Sequence, residues 1–96
     1  MLGEKMDKQW LLYILECWDG TLYTGITDNL QRRMAAHSLG KGAKYTRGRG
    51  PFALRYVESC ESYSRALRRE IQVKRLPRAC KLELCSFNMP IVNIFE

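Results

Sequence analysis

Glu70 is the residue whose position in this 96-residue chain most needs a reason. The stretch from Ser62 to Leu76, read at roughly 100° per residue, is an amphipathic helix. Arg65, Arg68, Gln72 and Arg75 make its polar side, and Tyr63, Ala66, Leu67, Ile71 and Val73 its apolar side. Glu70 falls inside the apolar arc, between Ala66 and Val73 on one flank and Leu67 and Ile71 on the other. A carboxylate facing a core must be neutralised, paired or bound to a metal, because burying a bare charge is costly. Two readings stand: an ion pair with one of the arginines, or a metal ligand or acid–base group.

Two phenols offer acid–base partners. Trp10 to Trp18 is a nearly continuous apolar and aromatic run and reads as an inner strand, and Asp19-Gly20 turns it into a returning strand, Thr21 to Ile26. A two-residue loop would place Tyr13 and Tyr23 on opposite faces. A three-residue loop, Trp18-Asp19-Gly20 with Gly20 left-handed, pairs Cys17 with Thr21, Leu15 with Tyr23 and Tyr13 with Gly25. The second register is the expected one: it gathers both hydroxyls on one surface and leaves space beside the Tyr13 ring. The plainer alternative is that both tyrosines are simply good strand formers. A helix capped by Thr27 or Asp28 and running to about Leu39 then carries Leu30, Met34 and His37 on one face. Arg33 lies at the margin, one turn before His37, while Gln31, Arg32 and Ala35 point away. A lone apolar-face histidine is more often packed than catalytic; Arg33 beside it makes this one less bland.

The elements around these groups are few. Ninety-six residues with 46% hydrophobic and 27% charged content describe one ordinary globular domain. Ser38 to Pro51 is a loop with four glycines, four cations and one aromatic. It suits phosphate contact through Lys41, Lys44, Arg47 and Arg49 and stacking through Tyr45, or else it is a solvated loop. It lacks the Gly-Lys-Ser/Thr ending of a Walker phosphate loop. Phe52 to Cys60 reads as a third strand, the Glu70 helix stops before Pro77, and Pro77 opens a further helix over Arg78 to Cys85. Residues 1–9 read as a flexible lead-in without the pattern of a signal peptide. Residues 10–86 form the domain, and 87–96 an apolar tail suited to an edge strand, a core cover or a contact with a second chain or protein partner.

Cys17, Cys60, Cys80 and Cys85 include no CxxC pair, and with one histidine they argue against structural zinc. They read as reduced thiols of a cytoplasmic protein, Cys17 and Cys60 facing the core. No apolar run approaches the roughly 20 residues that span a bilayer. The net charge of +6 favours an anionic partner such as nucleic acid.

In order, Leu12-Tyr13-Ile14-Leu15, Asp19 to Thr27, Leu30-Gln31-Arg32-Arg33-Met34 with His37, Gly40 to Gly48, Ala66 to Glu70 and Lys74-Arg75-Leu76 resemble the GIY-YIG nuclease superfamily. The resemblance is closer to its small stand-alone bacterial members, the UPF0213 or YhbQ-like group, and covers Trp10 to about Leu84. It implies an α+β fold, a three-stranded antiparallel sheet flanked by helices in the order β-β-α-β-α-α. It also implies hydrolysis of DNA phosphodiester bonds with one Mg²⁺ or Mn²⁺ ion, in repair or recombination. Tyr13 and Tyr23 match the tyrosines of the two motifs, Gly25 the closing glycine, Arg33 the helix arginine, His37 the acid–base position and Glu70 the metal-binding glutamate. Gly25 joins Lys41, Lys44, Tyr45, Arg47 and Arg49 as a nucleic-acid contact. The first motif lacks its glycine, reading Leu11-Leu12-Tyr13, and the second has Thr24 in its middle. Larger relatives attach a separate DNA-binding domain, so weak intrinsic affinity is the expectation.

On this reading Arg33 holds a phosphate oxygen. A phenol of ordinary pKa near 10, lowered by arginine and metal charge, takes a proton from water with help from His37. Tyr13 is the favoured base and Tyr23 a positioning group. The alternatives are a non-catalytic nucleic-acid-binding module on the same scaffold, and an interaction protein that docks through its tail.

Overall fold

The structure, a computed structural model, describes residues 9–88 and 92–93. A hairpin comes first, β1 (Trp10–Glu16) and β2 (Leu22–Thr27), then helix α1 (Leu30–Ser38) and a single 3₁₀ turn at Lys44–Thr46. β3 (Ala53–Cys60), α2 (Tyr63–Lys74), α3 (Arg78–Asn88) and the two-residue β4 (Val92–Asn93) follow. The antiparallel sheet runs β2-β1-β3-β4, so the predicted three strands are present and β4 extends them beside Ala53 and Leu54. Of the apolar tail, 87–96, only its start in α3 and this short pairing fall among the described residues. A docking role for it lies outside them, as does the lead-in before Gln9.

The hairpin adopts the three-residue loop. Gly20 has φ +86°, Cys17 N–H donates to Thr21 O at 2.9 Å, and Tyr13 stands opposite Gly25 with Leu15 opposite Tyr23. Strand alternation then sorts the core into two layers. Tyr13, Leu15 and Cys17 pack with Met34 of α1, Phe52 and Leu54, and Tyr23 and Leu30 close on them. Leu12, Ile14 and Tyr56 pack with Val73 of α2 and Cys85 of α3 on the other face, flanked by Leu22, Ile26 and Cys60. All four cysteines are free thiols; Cys17 and Cys85 are buried and Cys60 and Cys80 partly so. No helix among the described residues is long and apolar enough to cross a membrane.

Two helical expectations need correction. Asn29, rather than Thr27 or Asp28, caps α1, its side chain accepting from Arg32 N–H at 3.0 Å. Thr27 is already engaged: its hydroxyl accepts from Asn29 N–H at 3.0 Å as the chain leaves β2. The buried stripe of α2 is also narrower than the sequence suggests. Ala66 and Val73 are buried and Leu67 is partly so, but Ile71 is 51% exposed and Tyr63 52%. Tyr63 instead rests against Trp10, ring centroids 4.7 Å apart. α2 lies across β2, β1 and β3, with Val73 against Leu12, Ile14 and Tyr56, and Ile71 falls outside that contact.

Candidate active site

The central strand β1 and the edge strand β2 supply the two phenols. Tyr13 is fully buried, and its ring lies over Gly25 across the β1–β2 pair. A Cβ on Gly25 would stand 2.6 Å from Tyr13 Oη and 3.0 Å from Tyr23 Cε2, so only glycine leaves room for the phenol. Gly25 is itself buried, and its lack of a side chain is what makes room for the Tyr13 ring. The Tyr13 and Tyr23 rings are tilted neighbours, centroids 6.3 Å apart.

Helix α1 brings Arg33 and His37 to these phenols, one turn apart on its inner side. Tyr13 Oη lies 2.8 Å from His37 Nε2, and Arg33 Nε donates to the same oxygen at 3.4 Å. His37, 1% exposed, has its other ring nitrogen 2.8 Å from Thr46 Oγ1 in the 3₁₀ turn. The Tyr23 ring meets the imidazole edge-on at 5.5 Å. As expected, Leu30, Met34 and His37 face inward while Gln31, Arg32 and Ala35 face solvent.

Burial dominates the electrostatics. It pushes the Tyr13 hydroxyl up to about 12, the hydrogen bond from Arg33 opposing it and the charges of Tyr23 and Glu70 adding to it. The expected lowering by arginine is therefore present but outweighed by desolvation. Burial also drives His37 down to about 4, with the Arg33 charge helping. Arg33 in turn is held more firmly protonated, first by its hydrogen bond with Tyr13, against the opposing effect of its own burial. At neutral pH the cluster is a neutral phenol, a neutral imidazole and a guanidinium.

Glu70 reaches this cluster differently. It stands on α2, which packs through Val73 against the sheet face opposite Tyr13, and no hydrogen bond links it to the phenols, Arg33 or His37. Its side chain is 18% exposed, and Lys74 Nζ, one turn on, pairs with Oε2 at 3.3 Å. The carboxylate is thus turned away from bulk solvent, paired with a lysine and not with any arginine, and near enough for its charge to act on Tyr13. Among the described residues no three His, Cys, Asp or Glu side chains converge as a metal site. One carboxylate with water in the remaining positions fits magnesium, which prefers oxygen and keeps its waters, and does not fit a many-ligand zinc site.

A model described as the GIY-YIG catalytic domain matches residues 9–83. The chain belongs to the GIY-YIG family. A UPF0213 protein of Oceanobacillus iheyensis is 52% identical over 82 residues, covering 85% of this chain and 95% of that protein. Another from the archaeon Halobacterium salinarum is 57% identical over 70 residues, 73% of this chain and 91% of that one. The solution NMR structure of a UPF0213 protein from Bacillus halodurans superposes with a TM-score of 0.54 at 49% identity, covering 82% of this chain and 84% of that one. The solution NMR structure of a protein from E. faecalis superposes with a TM-score of 0.58 at 34% identity, over 84% of this chain and 88% of that one. The relatives therefore extend to archaea, beyond the bacterial group expected.

In this GIY-YIG domain the glycine-rich loop folds back onto His37 as well as facing solvent. Lys41, Lys44 and Arg47 are exposed and form no ion pair among the described residues. Tyr45 and Arg49 are engaged. Tyr45 stacks on Tyr23 at 5.8 Å, the Arg49 guanidinium lies 4.6 Å from the Tyr45 ring centroid, and Arg49 pairs with Asp19 at 2.7 Å. Thr46 and Gly42, both in contact with His37, carry no periodic signal in sequence. A Cβ on Gly42 would stand 2.3 Å from His37 Nδ1.

Proposed function

We propose that the protein hydrolyses phosphodiester bonds in DNA as a metal-dependent endonuclease. The observation that carries the reading is the buried contact between Tyr13 Oη and His37 Nε2, with Arg33 donating to the same oxygen. A phosphate oxygen on Arg33 would gain a charge-assisted hydrogen bond. Its negative charge would also offset the repulsion that Arg33 exerts on a protonated His37. Water attacking phosphorus gives its proton to Tyr13 as the Tyr13 proton passes to His37 Nε2. The phosphorus–leaving-oxygen bond breaks with its electron pair on that oxygen, which solvent protonates. This concerted transfer avoids a free phenolate, which burial disfavours. Glu70 and water would hold Mg²⁺ or Mn²⁺, and the ion would supply positive charge for the developing oxyanion.

Lys41, Lys44 and Arg47 supply phosphate contacts outside the cluster, consistent with a net charge of +6. DNA repair or recombination in the cytoplasm is the setting this chemistry fits. The alternative, a nucleic-acid-binding module without catalysis, would need the exposed cations but no buried phenol–imidazole contact. A cleavage screen over plasmid, branched, flapped and single-stranded DNA, with Mg²⁺ and with Mn²⁺, separates the two. Metal-dependent cleavage lost in Arg33→Ala supports the enzyme. Salt-sensitive binding with no cleavage under any condition supports the module.

A further inference from the structure

Thr46 sits behind His37, away from the phenols, and is buried with 1% exposure. Its hydroxyl oxygen lies 2.8 Å from His37 Nδ1 and donates to Ala43 O at 3.0 Å. A hydroxyl has one proton to give and lone pairs to receive another. With that proton directed at a carbonyl, which can only accept, the oxygen offers Nδ1 a lone pair. The partner that completes the contact is an Nδ1–H.

The other end of the imidazole leads to the same answer. The Tyr13 hydroxyl also has one proton, and among the described residues its hydrogen-bond partners are His37 Nε2 and Arg33 Nε. A guanidinium cannot accept, so of these two partners only a bare Nε2 can take the Tyr13 proton. Were Nε2 protonated, the fully buried Tyr13 proton would have no acceptor among these partners. A neutral imidazole carries one N–H, and both ends assign it to Nδ1. Gly42 holds the ring in place: a side chain there would meet Nδ1 at 2.3 Å and Cε1 at 2.8 Å.

We propose that Thr46 is a positioning residue that fixes His37 as the Nδ1–H tautomer, leaving Nε2 open to receive the Tyr13 proton. Thr46 touches no reacting atom. It acts by setting which nitrogen is the acceptor, the second partner that commonly fixes a histidine tautomer. The proposal rests on His37 as the proton acceptor of the endonuclease reading, and it adds a residue from the loop that otherwise serves phosphate contact.

The test is nitrogen-15 NMR of the imidazole in the full chain near neutral pH, beside cleavage kinetics. The unmodified protein is expected to show a protonated Nδ1 and an unprotonated Nε2. Thr46→Ser keeps that pattern and the native kcat. Thr46→Val removes the acceptor, moves the proton toward Nε2, and lowers kcat on the order of tenfold or more with little change in KM. A protonated Nε2 in the unmodified protein overturns the proposal, and so does Thr46→Val with the native tautomer and native kcat. The tautomer of the unmodified protein is decisive even if Thr46→Val fails to fold. It is also read without cleavage, so failure of the nuclease reading and failure of this assignment remain distinct.

Discussion

The Tyr13 hydroxyl and His37 Nε2 lie 2.8 Å apart inside the layer between β1 and α1, one group pushed up to about 12 and the other down to about 4. The resting proton therefore belongs to Tyr13, and catalysis requires something that moves it. A phosphate on Arg33 is that trigger in the proposed mechanism.

If the pair acts as one relay, Tyr13→Phe and His37→Ala should each lower the cleavage rate by about 10²- to 10⁴-fold. The double variant should be little worse than the poorer single one, because groups that act as a unit are not additive. Single-turnover cleavage measures this. Losses that multiply would show two independent roles.

The depressed pKa of His37 also makes stability depend on pH. The unfolded chain takes up the proton near the ordinary value of about 6.5, and the folded chain only near 4. The stability that neutral His37 contributes is thus complete above about pH 6.5 and falls as pH drops toward about 4. The loss is of order 3 kcal/mol at most. Urea unfolding between pH 7 and pH 4 should show this decline, and His37→Gln should flatten it.

Gly25 leaves its place to the Tyr13 phenol, so Gly25→Ala should cost about 1–3 kcal/mol by overpacking. It should also disturb the Tyr13–His37 contact, because the added methyl meets Oη at 2.6 Å. Denaturant unfolding reads the first effect, and the His37 imidazole NMR signals read the second. A stable variant with an unchanged imidazole would show that the ring has room to retreat.

Lys41, Lys44 and Arg47 have no competing ion pair among the described residues, whereas Arg49 is held by Asp19 and lies against Tyr45. Each of the first three, changed to alanine, should weaken DNA binding and reduce the slope of log K against log salt by about 1. Arg49→Ala should do less to that slope. Binding titrations over a salt series check the difference.

Much of this site was legible because it rests on local rules. Asp19-Gly20 marked the turn but allowed two registers, and the three-residue loop, expected because it gathers both phenols on one face, sets Gly25 opposite Tyr13. Helical spacing put His37 on the inner side of α1 with Arg33 at its margin one turn before. The α1 cap was harder: Thr27, Asp28 and Asn29 are all capable, and the choice fell to Asn29 because the Thr27 hydroxyl binds the chain leaving β2.

Other features depended on tertiary structure that periodicity does not encode. Which residues of the α2 apolar arc are buried, Ala66 and Val73 but not Ile71, depends on how the helix sits on the sheet. Thr46 reaches His37 only because an aperiodic loop closes in a 3₁₀ turn. The partner of Glu70 is a different case. A Glu four residues before a Lys is a common helical pair, so Lys74 was readable from spacing alone and the many arginines drew attention from it.

The most direct measurement pairs Mg²⁺-dependent DNA cleavage with unfolding free energy in Glu70→Gln. The account predicts cleavage reduced by at least about 100-fold with stability changed by no more than about 1 kcal/mol, since Lys74 is half-exposed and the pair with Glu70 contributes little. Cleavage at the native rate, or a loss of several kcal/mol in stability, would contradict it and make Glu70 a structural residue.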